Sequence, residues 1–236
     1  AYARDKKHVY VISRRFTNGS NDIKYLESVV CINPKTGKAK WSFNAVRGSL
    51  NPDHNPSNIR LSVNKNKVYA VFENSLVIIN KKNGSLIKKY NFPAPVVFVY
   101  NKNNIVYVGM NDKINAFDPV EGKVLFTFNS NGVVAYPVVK NNILHFGTSD
   151  RFVYALDAKT GKYFFLFVTY GEIYCAPALF KRDLLISSYD GHIYSVRGGK
   201  DIFKIGVHKS ELYYYMGMAL LKLRRVNEAT RYFRMM

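Results

Sequence analysis

The apolar positions of this chain come in short runs that break at Asn, Asp and Gly. Runs such as VYAVF (68–72), SLVIIN (75–80), IVYVGM (105–110), KINAFD (113–118) and FVYALD (152–157) are rich in β-branched and aromatic residues and bounded by turn formers. That pattern predicts strands in tight meanders. A longer phrase returns with them: apolar strand, Asx or Lys, a Gly turn, then another apolar strand. It reads CINPKTGKAKWSF (31–43), IINKKNGSLIKKYNF (78–92), AFDPVEGKVLFTF (116–128) and ALDAKTGKYFFLF (155–167), with a weaker copy SVRGGKDIFKI (195–205). The turn glycines Gly37, Gly84, Gly122, Gly161 and Gly199 recur about every forty residues, which marks a repeat architecture. Each repeat divides into four evenly spaced strands, and this predicts propeller blades in preference to a sandwich.

The first repeat departs from the others. HVYVIS (8–13) predicts a strand, RRFTNGSNDIKY (14–25) reads as a polar insertion, and ESVVCIN (27–33) resumes the pattern. The Pro-, Asn- and Ser-rich VRGSLNPDHNPSN (46–58) lengthens the passage into the second repeat. After Gly206 the apolar period changes from two to near 3.6. Ser210 there is placed to cap a helix ahead of an amphipathic run, which predicts a helical hairpin turning near Arg225–Asn227. The expected fold is therefore all-β: a β-propeller of about five four-stranded blades, complete or part of a larger ring, over residues 1–206. A C-terminal α-helical hairpin is expected over residues 207–236.

The phrase "apolar strand, D/N-x-x-T/N-G-K, strand with Trp or Phe" resembles the repeat of PQQ-type (quinoprotein-type) β-propellers. Cys31–Phe43 and Ala155–Phe167 are its best copies; Trp41 stands where that family usually has Trp, with Tyr90, Phe126 and Phe165 near that place in later copies. The resemblance spans residues 8–205 and implies a fold more than a function, because many such propellers bind no quinone and act as protein scaffolds. The final segment resembles a tetratricopeptide-type repeat. Tyr213, Met216, Gly217, Leu220, Ala229 and Phe233 fit its bulky, small and bulky pattern, and small Gly217 and Ala229 let two helices approach closely. A single repeat of that kind cannot bury its own face, so these six residues form a candidate helical docking surface.

Composition narrows the picture. The chain has 236 residues, 47% of them hydrophobic and 15% aromatic, which is a folded composition. No run of about eighteen apolar residues is present to cross a bilayer. The chain starts at Ala1, and a processed or excerpted chain is expected. The net charge of +19 favours an acidic protein, an anionic surface or a nucleic acid as partner, although a Lys- and Asn-rich proteome would give the same number. In a four-stranded meander the first and third turns share one end, and lysine gathers there. The candidate basic face comprises Lys35, Lys65, Lys67, Lys81, Lys82, Lys102, Lys123, Lys140, Lys159, Lys181 and Arg182. The second turns carry Glu73, Asp112, Asp150 and Asp190, an acidic set made of good turn residues. Nucleic acid is disfavoured, since Tyr and Phe fall within strands and do not interleave with the basic loops.

No catalytic constellation rises above the repeat. Cys31 and Cys175 sit at apolar positions without CxxC spacing and are expected to be buried free thiols. The five histidines are scattered without metal-ligand spacing, and neither GxSxG nor a P-loop occurs. A quinoprotein dehydrogenase, the enzyme that the resemblance brings with it, would imply a quinone, a calcium held by Glu and Asn, a catalytic Asp and adjacent cysteines. Here the cysteines lie far apart, Trp41 is the single Trp, and the visible blades fall short of the ring such enzymes use. That reading is remote. The expectation is a non-catalytic scaffold without cofactor, joined to protein partners in a larger assembly. An extracytoplasmic, periplasmic setting comes by analogy with scaffold propellers of this type. The rival expectation is a polyanion binder, for anionic lipid, acidic polymer or nucleic acid, acting through the Lys-rich face.

Overall fold

A computed structural model describes residues 2–18, 23–49, 60–180, 183–197, 201–204, 230 and 233–234. Its regular elements are β-strands in five four-stranded antiparallel sheets, each running in sequence order from its first strand to its fourth. The first holds β1 (Tyr2–Arg4), β2 (Val9–Asn18), β3 (Ile23–Ile32) and β4 (Ala39–Ser49). The second holds β5 (Leu61–Val63), β6 (Lys67–Phe72), β7 (Ser75–Asn80) and β8 (Leu86–Asn91). The third holds β9 (Phe98–Lys102), β10 (Ile105–Met110), β11 (Lys113–Asp118) and β12 (Lys123–Asn129). In the fourth are β13 (Val138–Lys140), β14 (Ile143–Gly147), β15 (Phe152–Asp157) and β16 (Tyr163–Val168). The fifth is β17 (Ala178–Phe180), β18 (Asp183–Ser187), β19 (Ile193–Arg197) and β20 (Asp201–Lys204). The chain divides into two compact units, Ala1–Asn111 with Phe117–Lys123, and Asp112–Ala116 with Val124–Met236.

One expectation needs correction, and another lies almost wholly outside the described residues. The polar insertion at 14–25 is strand over 14–18 and 23–25. It prolongs the β2–β3 hairpin, with Arg14 opposite Glu27, Phe16 opposite Tyr25 and Asn18 opposite Ile23, and β4 follows along the same length. Phe16, Thr17, Ile23 and Tyr25 are good strand formers, and the ladder continues for as long as a partner strand is beside it. At the other end, the expected helical hairpin is not part of the described fold. Tyr213, Met216, Gly217, Leu220 and Ala229 lie outside the described residues; Thr230 and Phe233 are helical, and the Arg234 N–H donates to the Thr230 carbonyl at 3.1 Å.

The core of the first unit follows from the period-two pattern. On β6, Val68, Ala70 and Phe72 enter a cluster with Tyr10, Val29, Cys31 and Trp41 of the first sheet. Their neighbours Tyr69 and Val71 enter another with Val99, Val106, Val108 and Phe117 of the third. β7 divides in the same way, Val77 and Ile79 to one side and Leu76 and Ile78 to the other. Both faces of these strands are buried, so their sequences read as unbroken apolar runs. Each large side chain so placed contributes roughly 1.5–3 kcal/mol of burial. In the second unit, Val153, Phe167, Ile173, Leu184, Ile186, Tyr194 and Val196 form the corresponding cluster. The fourth strand of the second sheet, β8, is exposed along most of its length.

The Gly-turn phrase closes the third and fourth strands of the first four sheets by one mechanism. The side chain of Asn33, Asn80, Asp118 or Asp157 accepts the backbone N–H two residues on, at 2.7–3.0 Å. Its carbonyl accepts the N–H of Gly37, Gly84, Gly122 or Gly161 at 2.9 Å. These glycines have φ between 68° and 78°, a left-handed conformation that other residues reach at a cost. Onto three of them packs an aromatic ring from the fourth strand of the preceding repeat. A Cβ on Gly84 would stand 2.7 Å from the Trp41 ring, on Gly122 3.0 Å from Tyr90, and on Gly161 2.6 Å from Phe126. The Trp41 Nε1–H also donates to the Lys81 carbonyl at 3.1 Å, inside the next turn.

Gly37 and Gly84 separate the two demands. A Cβ on Gly37 meets nothing within 4 Å, so Gly37→Ala should cost only the left-handed backbone, about 1–2 kcal/mol. Gly84→Ala adds the displacement of Trp41 and should cost clearly more, as urea denaturation of the two variants side by side will show.

Candidate interaction surfaces

In every sheet the first and third turns lie at one end and the second turn at the other, as the meander order requires. At the first end, Lys35, Lys65, Lys82 and Lys102 of the first unit and Lys159 of the second are exposed at turn positions. Lys67 and Lys140 are half-buried. Lys123 is exposed and pairs with the Glu121 carboxylate. Lys181 and Arg182 lie outside the described residues. Lys81 departs from the sequence expectation. Its Nζ bonds the Asp5 carboxylate at 2.8 Å and the Asn64 carbonyl at 3.1 Å, which joins the first turn of one sheet to the turns of the next. Asp5 is further bonded by the N–H groups of Lys7 and His8 and by the Tyr10 hydroxyl. Burial alone would raise its pKa, but Lys81 and these donors hold the carboxyl far below the usual carboxylate range. Lys81 is therefore a tie within the fold and is withdrawn from the basic face.

The acidic set at the opposite ends is also two things. Glu73 and Asp112 are exposed, Glu73 with φ 52° in a two-residue hairpin turn. Asp150 and Asp190 are turned inward. Asp150 accepts the Thr148 hydroxyl. Asp190 Oδ2 accepts the Tyr194 hydroxyl at 2.6 Å and the N–H groups of Tyr170 and Gly171 at 3.0 and 3.2 Å; Oδ1 accepts the His192 N–H. Burial opposes the charge on Asp190, but the Tyr194 and N–H bonds outweigh it and lower the pKa. The clamp needs Gly171, where a Cβ would lie 2.3 Å from the Asp190 nitrogen, and the preceding copy needs Gly132 against Asp150 for the same reason.

One constellation is missed by sequence reasoning. Glu27, only 1% exposed, accepts Nε and Nη2 of Arg14 at 3.1 and 2.6 Å and both Nη groups of Arg60 at 3.2 and 2.9 Å. Burial would raise its pKa, yet Arg60 and Arg14 together lower it. The available signal was a carboxylate beginning the otherwise apolar ESVVCI, opposite a strand containing Arg14. Arg60 reaches it across a sequence separation that no local pattern conveys.

Cys31 is buried as expected, but Cys175 is exposed, because its segment is the loop after β16 and not a strand. Among the described residues no three His, Cys, Asp or Glu side chains come together to hold a metal ion, and no helix is long and apolar enough to cross a membrane. His145 takes the place in β14 that Tyr10, Tyr69 and Tyr107 fill in the preceding repeats. Burial, with Lys140 nearby, lowers its pKa to about 4.

Comparison with known proteins adds a partial match. Residues 92–164 match the family described as outer membrane protein assembly factor BamB. A search of curated proteins finds no match. Among solved structures, the chain is similar to the computationally designed Ika8 protein, with 16% identity, a TM-score of 0.60, and coverage of 86% of this chain and 70% of that one. BamB from Moraxella catarrhalis gives 14%, 0.61, 82% and 67%. A europium-containing methanol dehydrogenase gives 11%, 0.63 and 86%, and this chain spans 50% of its length. At these identities the likeness is one of fold. Together with the five four-stranded meanders, it makes this a β-propeller-type fold built from PQQ-like repeats.

Two outcomes follow from the buried groups. Glu27→Gln leaves two guanidinium groups facing a neutral side chain and should destabilise the protein by about 3–5 kcal/mol, read from the urea midpoint. For His145 the unfolded chain takes up a proton as pH falls below 6.5, whereas the folded one resists until about pH 4. Stability should therefore decline across that window, and His145→Phe should flatten the decline between pH 6.5 and 5 in pH-dependent thermal melts.

Proposed function

We propose that this chain is a non-catalytic interaction scaffold, a component or assembly factor of a larger complex in the cell envelope, outside the cytoplasm. The observation that carries this is the match of residues 92–164 to an outer membrane protein assembly factor, in a chain whose fold is similar to that of BamB. The internal chemistry supports it. Asp5, Glu27, Lys81 and Asp190 bond other parts of the fold, which keeps the exposed loops in fixed positions for a protein partner. The fold itself carries many functions and decides none. A second reading, a polyanion binder, draws on the exposed turn lysines Lys35, Lys65, Lys82, Lys102 and Lys159.

The two readings part on charge. A quintuple variant, K35E/K65E/K82E/K102E/K159E, removes the basic turns and leaves the Lys81 tie intact. On the scaffold reading, the complex co-purified from envelope extracts and followed by size exclusion survives both this variant and about 0.5 M salt. Loss of the complex in both would favour the polyanion reading, since affinity for a polyanion falls steeply with salt.

A further inference from the structure

Two tyrosines of the second unit are exposed where the fold has no need of them. Tyr189, 74% exposed, sits in the turn between β18 and β19; Tyr174, 45% exposed, sits in the loop after β16. Their rings form an edge-to-face pair with centroids 5.3 Å apart and planes at 79°. The exposed Glu172 carboxylate, two residues before Tyr174, raises the pKa of the Tyr174 hydroxyl. The Tyr189 N–H donates to the Glu172 carbonyl at 2.9 Å, and the Asp190 clamp fixes the Tyr189 turn to the Tyr170–Gly171 stretch of the other loop.

The preceding repeat builds the same scaffold with different side chains. There the Ser149 N–H donates to the Val133 carbonyl at 2.9 Å, as Tyr189 does to Glu172. Ser130 bonds the Gly132 carbonyl at 2.6 Å, as Thr169 does that of Gly171. In matched positions, then, Tyr189 stands for Ser149 and Glu172 for Val133, while Tyr174, two residues after Glu172, stands for Ala135. The link that Tyr189 makes to Glu172 closes there with Ser and Val, and Ser149 Oγ also accepts the Val133 N–H at 2.8 Å. Ordered, solvent-exposed tyrosines present large contact area at small entropic cost, which is the character of binding hot spots.

We propose that Tyr174, Tyr189 and Glu172 form a docking site for an extended segment of a partner protein that inserts an arginine or lysine side chain. The electron-rich ring faces attract a cation, and the Glu172 carboxylate beside them supplies its counter-charge. The His192 ring of the same turn lies 3.3 Å from Asp190. This deepens the scaffold reading and rests on it, naming the surface and the chemistry of the partner segment.

The test is calorimetric titration of the full chain with an alternating Arg–Ser decapeptide and its Glu–Ser counterpart in about 0.15 M salt. The Arg peptide should bind saturably and the Glu peptide should not. Y174A/Y189S should bind the Arg peptide about tenfold more weakly or worse, with an unchanged thermal midpoint, because Ala and Ser serve the sister repeat. Equal binding of the two peptides, or binding unaltered in Y174A/Y189S, overturns the proposal. A midpoint lowered as by a core truncation overturns it too, since the pair would then belong to the fold. Self-association of the chain that Y174A/Y189S abolishes would assign the site to a second copy instead. If Y174A/Y189S still enters the envelope complex while wild type ignores the Arg peptide, the docking site fails and the scaffold reading stands.

Discussion

An aromatic ring seated on the turn glycine of the next repeat is the contact on which the rest of this structure depends. The ring can approach because glycine has no Cβ, and the glycine is there because the turn needs a left-handed residue. One residue thus meets a local demand and a tertiary one. Trp41 adds a hydrogen bond into the same turn through the Lys81 carbonyl, so the indole is held by its polar edge as well as by its ring. Tyr90 on Gly122 and Phe126 on Gly161 repeat the ring contact with smaller aromatics. The recurrence of the phrase about every forty residues is the one-dimensional trace of this packing.

Polar groups reinforce the same joints. Asp5 and Lys81 bind a first turn to a third turn of the next sheet, Glu27 gathers Arg14 and Arg60, and Asp190 binds a turn to the loop that precedes its sheet. Each carboxylate is desolvated and each is over-supplied with donors, which is the condition under which a buried charge can remain ionised. Loops held this way do not need to be ordered by a partner, and the entropic cost of docking on them is correspondingly small.

How much of this was legible in the sequence depends on the distance over which each feature is decided. β7, β10, β11 and β15 begin and end where the alternation and turn residues place them, because strand pattern and hairpin chemistry are local. The long β2–β3 hairpin was misjudged, since RRFTN looks polar by composition while a ladder that already has a partner strand can continue through it. Lys81 resembled its exposed neighbour Lys82, and only the arrival of Asp5 from another sheet distinguishes them. Cys175 was taken for a strand residue from its apolar surroundings, but the chain there crosses between sheets. The inward turn of Asp190 was equally invisible, because an Asp-Gly turn has the same local sequence whether its carboxylate faces water or a buried tyrosine hydroxyl.

A repeat protein carries its own control for separating structure from use. Where successive copies keep a residue type and its bonds, as with the Asx side chain and glycine of the third turns, the fold explains the residue. Where the bonds persist and the residue changes, the fold is indifferent and another cause is required. His145 in place of tyrosine is one such change, and it introduces a titration the other repeats lack. Arg151 is another: at φ 74° it adopts a backbone that its counterpart Gly191 takes at φ 81° without a Cβ to strain. Tyr174, Tyr189 and Glu172 go furthest, because there two neighbouring positions change toward large aromatics and a third gains a carboxylate, while the backbone link from Tyr189 to Glu172 is the one that joins Ser149 to Val133. The preceding repeat has neither the edge-to-face pair nor the carboxylate beside it, and together these supply what the proposed docking of a cationic side chain requires.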